Sequence, residues 1–553
     1  MKRHFVTALL CCSLLSACQP NQAERKTMSQ TQTPSQAAVS FADVYNSLSG
    51  ETIIEHARVL ASDEFGGRLP ATEGETKTLA YLIEHFTQAG LVPTAGDSFL
   101  QPVELISITA SPDASLSIGE QTFTYKDNMV VGSQREQAQI DVSDSEVVFV
   151  GYGVNAPEYN WNDYEGLDVT GKTVVILVND PGFENPDAGI FEGKTMTYYG
   201  RWSYKYEEAS RQGAAAALIV HETEPASYGW SVVANSWSGP QYGLVNPDKG
   251  ASRVAIEGWL SLDAAVSVFA AAGKDFAAEK AKALQGPYHS ALNLTASATV
   301  QNSFETSTSY NFLATLPGHE LPDEHIIFTA HWDHLGTDTS LEGDQIYNGF
   351  HDNATGTAGL ITIAQQLAKL SERPRRSISF LIVTAEEQGL LGSKYYANHP
   401  VIPLNKTVAN INVDAMNILG QTQDVAVVGQ GKSELEQYLV AAATKQGRVV
   451  VQEPRPEAGY YYRSDHFSFA KAGVPALYAY GGATPLNEEV AAYRKKINVI
   501  QRGCYHQVCD QYRESINPSG MEEDARMLMD VAVQVANAQT WPQWSATSEF
   551  QRK

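Results

Sequence analysis

From about residue 308 onward the chain alternates strand-like apolar runs with amphipathic helices, and three of the strands run directly into metal-ligand side chains. The runs are His325 to Thr329, Ile378 to Thr384, Val408 to Val413 and Val474 to Tyr480, with Leu360 to Leu370 as an intervening helical run. Such alternation predicts an α/β fold: a mostly parallel sheet with helices on both faces. In open sheets of this kind the functional crevice lies beyond the carboxyl ends of the strands. His331-Trp332-Asp333-His334 follows the first strand, Glu386-Glu387 the second and Asp414 the third. Asp352 and His466 are expected at helix starts, in Gly349-Phe350-His351-Asp352-Asn353-Ala354-Thr355-Gly356 and Arg463-Ser464-Asp465-His466.

Imidazoles mixed with carboxylates suit zinc, although manganese or cobalt also accept such donors. Gathering these carboxylates in one dry crevice without a cation would force some to bind protons. Two divalent ions about 3.5 to 4 Å apart, bridged by a carboxylate, resolve the conflict. His331-x-Asp333 places both side chains on one side of an extended segment, so Asp333 is expected to orient the imidazole. Composition limits the alternatives. With 43% hydrophobic and 18% charged residues the chain is globular, and a net charge of -24 argues against nucleic acid as a partner. The phosphate-loop string Gly166 to Thr173 leads into a strand, whereas a phosphate cradle opens a helix, so it reads as chance.

Taken in order, His-x-Asp, Gly-x-x-Asp-Asn-Ala-Thr-Gly, Ala-Glu-Glu-Gln-Gly-Leu-Leu-Gly-Ser, Asn-Val-Asp-Ala-Met-Asn and Ser-Asp-His-Phe-Ser-Phe resemble the dizinc exopeptidases, the family of secreted leucine-type aminopeptidases and glutamate carboxypeptidase. Singly, each has an ordinary reading: a solvated acidic pair at a helix start, a helix cap, a core histidine. The resemblance implies two zinc ions per chain, with Asp352 bridging, His331 and Asp414 on one ion, Glu387 and His466 on the other, and Glu386 as general base. It implies peptide substrates and release of N-terminal residues. The alternatives are a carboxypeptidase or dipeptidase of the same family, or a non-catalytic peptide-binding relative. A carboxypeptidase would need a cationic clamp, for which Arg463, Arg502 and Arg513 are available. His334 and His351 are spare imidazoles, and Tyr460, Tyr461 and Tyr462 are candidates for holding the oxyanion or for packing. Tyr505-His506 resembles a segment of that family lining the substrate cleft.

Members of the family often carry an inserted protease-associated domain. Gly171 to Ile176, Glu207-Glu208-Ala209 and Gly213 to Val220 look like one, within a β-rich stretch from 105 to 298. It would divide a catalytic domain into residues 41–104 and 299–545. At the N-terminus, Lys2-Arg3, a short apolar run and Leu15-Ser16-Ala17-Cys18 resemble a lipoprotein signal over 1–17, with Cys18 acylated. Residues 18–40 read as a flexible tether. The expectation is an exported lipoprotein of the bacterial cell envelope, held at the outer membrane facing the periplasm. Cys504 and Cys509 are left to pair in that oxidising compartment.

Overall fold

A computed structural model describes residues 38–546 and 548–552. The signal, Cys18 and the tether up to residue 37 lie outside the described residues. Among the described residues, no helix is long and apolar enough to cross a membrane.

The main sheet follows the sequence pattern. Strand Leu321–His331 lies parallel between Arg376–Val383 and Thr407–Asn412, and Ala476–Gly481 continues the parallel order. Ser290–Leu316 runs antiparallel along the outer side of Arg376–Val383. Asp424–Val427 lies antiparallel beyond Ala476–Gly481, with Val449–Gln452 parallel to it. Arg376–Val383 and Thr407–Asn412 are buried at every position, as strands covered on both faces must be. Alternate residues divide between two cores. Ile326, Phe328 and Ala330 join helices Gly50–Leu60, Thr355–Leu367 and Ser519–Asn537, while Ile327 and Leu381 face Tyr396 and Phe469 of helices Leu391–Asn398 and His466–Lys471.

The inserted region has two cores of its own. It is less purely β than expected, since its parallel strands Gln139–Phe149, Thr173–Leu177, Ala216–Val220 and Ile256–Leu260 are accompanied by helices such as Trp202–Arg211 and Leu262–Ala271. The phosphate-loop string does lead into a strand. The expected boundaries at 104/105 and 298/299 fall inside strands Leu100–Ala110 and Ser290–Leu316. These pair antiparallel over Leu100 to Ala110, and Ser290–Leu316 also pairs with Gln139–Phe149 of the insert. The insert is therefore carried on a continuous two-stranded ribbon, not on a loose linker.

Candidate metal centre

Each functional side chain stands where a strand ends or a helix begins. His331 is the last residue of its strand. After Arg376–Val383 the chain turns through Ala385 in the left-handed region (φ 52°), which presents Glu386 and Glu387. Asp414 follows Thr407–Asn412. Asp352 lies just ahead of helix Thr355–Leu367, with a cis peptide to Asn353. Asn353 binds the Asp352 and Asp414 loops together: its Nδ2 donates to the Val413 carbonyl (3.1 Å), and its Oδ1 accepts from the amides of Ala415 and Gly356 (3.0 Å each). A Cβ at Gly356 would stand 2.1 Å from that oxygen, so no other residue fits there.

His331, Asp352 and Asp414 bring one donor atom each within 4.8 Å of one another, and so do His334, Asp352 and Glu387. Asp352 belongs to both groups. His331 Nε2 lies 3.2 Å from Asp352 Oδ1 and 3.5 Å from Asp414 Oδ1. On the other side, His506 Nε2 lies 3.3 Å from Asp352 Oδ2 and 2.9 Å from Glu387 Oε2. Neither nitrogen makes an aligned hydrogen bond with these oxygens, so each points an unshared donor into the space between carboxylates. His334 is committed differently, with Nδ1 hydrogen-bonded to Glu387 Oε1 at 2.6 Å. It holds Glu387 while His506 faces the gap.

The electrostatics call for cations. Burial alone would pull both imidazoles down. Instead Glu386, with contacts to Asp352 and Asp414, drives His331 well above its ordinary value, and contacts with Asp352 and Glu387 bring His506 up to about 10. Burial, opposed by His331 and reinforced by Asp414 and Glu387, raises the Glu386 carboxyl well above the usual range. Two divalent ions sharing Asp352 satisfy this set of donors.

The structure brings His331, Asp352, Glu386, Glu387 and Asp414 together and leaves His466 out. The His466 ring packs edge-on against Tyr461 (4.7 Å between centroids) and 5.3 Å from Tyr478. Burial holds it down at about 3 with no carboxylate opposing. Its neighbour Asp465 faces the centre instead, raised to about 7 by burial against the pull of His331. His506 occupies the position expected of His466. The signal for it was the Tyr505-His506 dipeptide beside the cysteines, and those cysteines are joined as Cys504–Cys509.

Asp333 also differs in detail. His331 Nδ1 bonds the Asp333 main-chain carbonyl (3.1 Å), and the carboxylate stands 3.8 Å away. That carboxylate accepts from the amides of Glu386 (3.1 Å) and Glu387 (3.4 Å), fixing the turn that presents both glutamates. Burial raises it to about 7. Of the tyrosine run, Tyr461 and Tyr462 are buried and only Tyr460 is open.

Two supporting residues were not anticipated. Arg68, within the Asp63–Arg68 segment, is buried beneath the centre and donates to the carbonyls of Trp332, Leu60, Asn348 and Gly349 at 2.6–2.8 Å. Burial lowers it to about 10, while Asp333, Asp510, Asp352 and Glu387 sustain its charge. Asp510 accepts from the amides of His351 and Asp352, each at 3.1 Å. His351 is therefore a packed residue, its Nε2 3.1 Å from the Met416 carbonyl.

Two cavities meet at Asp352, Asp414 and Tyr505. One, of about 650 Å³, is walled by Met416, Ile418, Leu419, Tyr478 and Tyr480. The other, of about 350 Å³, holds Glu386, Tyr460 and Arg463. Glu387 borders neither, which separates the glutamate open to a ligand from the one turned toward His334 and His506.

A parallel α/β sheet whose strand ends hold two histidine–carboxylate groups about one shared aspartate defines a protein of the binuclear metal class. Residues 311–532 match the model of Peptidase family M28. It is similar to Leupeptin-inactivating enzyme 1 of Streptomyces exfoliatus, at 25% identity over 41% of this chain and 49% of the relative. It is similar to Leucine aminopeptidase 2 of Trichophyton rubrum, at 28% identity over 37% of this chain and 41% of the relative. The matched segments thus span about half the length of these relatives. The fold resembles that of the aminopeptidase from Aneurinibacillus sp. strain AM-1, with a TM-score of 0.53 and 20% identity over 93% of this chain and all of that one.

Proposed function

We propose that the protein is a zinc-dependent aminopeptidase releasing N-terminal residues from peptides. The observation that carries this reading is the position of Asp352 between His331 and Asp414 on one side and His506 and Glu387 on the other, with Glu386 left open to the adjoining cavity. His331 and Asp414 would hold one ion, His506 and Glu387 the other, and Asp352 both. When bound, the zinc pair supplies Lewis acidity toward the scissile carbonyl and lowers the pKa of water.

The remaining work falls to the chain. Glu386 takes the proton of the attacking water and delivers it to the leaving amine. Its buried carboxyl, raised above the ordinary value, suits both directions of transfer. The Tyr505 phenol borders both cavities. It is held above its ordinary value by desolvation and by Asp352, Glu387, Glu386 and Asp414, so it remains a proton donor for a developing oxyanion. Tyr478 is less available, since its hydroxyl donates to the Asp414 carbonyl at 3.0 Å. The free amine of a substrate meets Glu386 and Asp414, and the apolar walls of the larger cavity receive a large apolar N-terminal side chain. Protein lacking residues 1–37, loaded with zinc, should remove the N-terminal residue of a peptide but leave its N-acetylated twin intact, and chelator should stop the reaction. Loss of the C-terminal residue from both peptides would instead establish a carboxypeptidase.

The insert is read as a protease-associated domain, supported by helix Trp202–Arg211 feeding strand Ala216–Val220. Lipid anchoring through Cys18 at the outer membrane rests on Leu15-Ser16-Ala17-Cys18. The N-terminal peptide of protein from a bacterial host should begin at a Cys18 carrying acyl mass; an unmodified Cys18 overturns the anchor.

A further inference from the structure

Glu386 and Glu387 stand on a loop that its own sequence does little to hold. From Thr384 to Gly392 the chain passes through Ala385 (φ 52°) and Leu390 (φ 60°), two non-glycine residues in the left-handed region, a conformation that persists only where the surroundings over-determine it. The Asp333 carboxylate fixes the two glutamate amides. The ends of the loop are held by a different residue, Asn311, which lies on strand Ser290–Leu316 and is fully buried. Its Oδ1 accepts from the Thr384 amide at 3.1 Å, and its Nδ2 donates to the Gly392 carbonyl at 3.0 Å. The Gly392 amide in turn donates to the Thr384 carbonyl at 3.0 Å. A Cβ at Gly392 would stand 2.3 Å from that carbonyl oxygen and 2.5 Å from Asn311 Oδ1, so the closure admits only glycine.

Two further sets of contacts lock this clamp. Gln101, the cross-strand partner of Asn311, accepts from Asn311 Nδ2 at 3.0 Å and donates to the His399 carbonyl at 2.7 Å, just past helix Leu391–Asn398. Behind the loop, the buried Glu75 carboxylate accepts from Ser309 Oγ at 2.9 Å, and Ser309 Oγ lies 2.6 Å from Thr384 Oγ1. Ser309 has one hydroxyl proton, which goes to the carboxylate, so its oxygen accepts from Thr384. Ser309, Asn311 and Thr384 are each 0% exposed, and a hydrogen bond lost there is not replaced by bulk water.

We propose that Asn311, with the Glu75–Ser309–Thr384 chain behind it, is a positioning residue for the general base Glu386, closing both ends of the loop that presents it. This rests on the role given to Glu386 above. Asn311 and Gln101 face each other on the ribbon formed by Leu100–Ala110 and Ser290–Leu316, so the two strands that carry the insert also hold the base in place.

The test is steady-state kinetics of the zinc-loaded protein and its variants on one peptide, with a metal count on each. Asn311→Asp keeps the acceptor for the Thr384 amide but sets an oxygen against the Gly392 carbonyl. Its kcat should fall by about 10- to 100-fold, the scale of a displacement of about 1 Å at a catalytic group, with KM little changed and both zinc ions retained. Thr384→Val, which has the same shape without the hydroxyl, should also lower kcat, and Thr384→Ser should recover most of that loss; this pair decides if Asn311→Asp does not fold. Variants that lower the melting temperature but leave kcat of the folded protein unchanged, or that raise KM alone, would overturn the proposal. So would Thr384→Ser as slow as Thr384→Val, or loss of a zinc ion from Asn311→Asp, which would assign the clamp to Glu387 instead. Release of C-terminal residues from N-acetylated peptides would sink the aminopeptidase reading while leaving this comparison intact, because the loop and its base are the same. If the unaltered protein cleaves no peptide, amide exchange of residues 385–391 read by mass spectrometry decides separately: faster exchange in Asn311→Asp with strand Arg376–Val383 unchanged upholds the clamp, and equal exchange removes it.

Discussion

His466 and His506 are driven in opposite directions, to about 3 and about 10, because one is packed among tyrosine rings and the other lies against two carboxylates. The difference assigns their roles. His506→Ala should lose one of two zinc ions and at least 100-fold in kcat/KM, whereas His466→Phe should keep both ions, as metal analysis and peptide kinetics would show. Glu386→Gln should lower kcat by about 10²- to 10⁴-fold, the usual worth of a positioned acid–base group, with both ions retained. Arg68→Met removes the cation beneath the carboxylates and four hydrogen bonds to three separate segments, the end of helix Gly50–Leu60, Trp332 and the Asn348-Gly349 turn. Denaturant titration should show a loss of about 3–5 kcal/mol, the cost of breaking a buried charge network. Arg68 left no trace in the sequence because nothing local marks an arginine that will fold under a distant site. His466 misled because Ser-Asp-His places a ligand-type residue at a helix start, and whether that ring or its neighbour Asp465 turns inward depends on packing against Tyr461 and Tyr478.

At the scale of elements the site was more readily legible. His331, Glu386, Glu387 and Asp414 follow strands whose apolar runs are explicit in the sequence, and parallel pairing brings those strand ends to one edge. Asp352 was legible from the Asp-Asn-Ala-Thr-Gly string, whose Asn353 and Gly356 form the joint between loops. The segment carrying His506 has no such periodicity. It is an irregular stretch between helices Glu488–Gln501 and Ser519–Asn537, shaped by the Cys504–Cys509 bridge and by the hold of Asp510 on the His351 and Asp352 amides. Replacing both cysteines by serine should therefore weaken the ion at His506 and Glu387 more than it lowers the melting temperature. Competitive zinc titration beside thermal unfolding would register the difference. The insert boundaries were misplaced for a related reason: a strand that serves two sheets, as Ser290–Leu316 does, shows no change of pattern where one sheet passes it to the next.

For the whole molecule, the metal centre links folding to pH. In metal-free protein the folded His506 value of about 10 lies above the ordinary 6.5, so its contribution to stability is complete below about pH 6.5 and is lost as pH rises through 10. Metal-free protein should lose stability across that window, and zinc, which takes the place of the proton, should abolish the His506 part of the loss. Thermal unfolding with and without chelator from pH 6 to 10 would reveal it, and His506→Ala should flatten the metal-free curve. Zinc held at 100 times its dissociation constant should add about 2.7 kcal/mol to the folded state. The insert and the main body belong to one compact unit. The most direct test of a binuclear centre about Asp352 is a metal count on three zinc-equilibrated proteins, the unaltered chain, His506→Ala and His466→Phe, by elemental analysis of gel-filtered samples. The structure predicts two, one and two zinc ions per chain; a single ion in the unaltered chain, or loss of an ion from His466→Phe but not from His506→Ala, would contradict it.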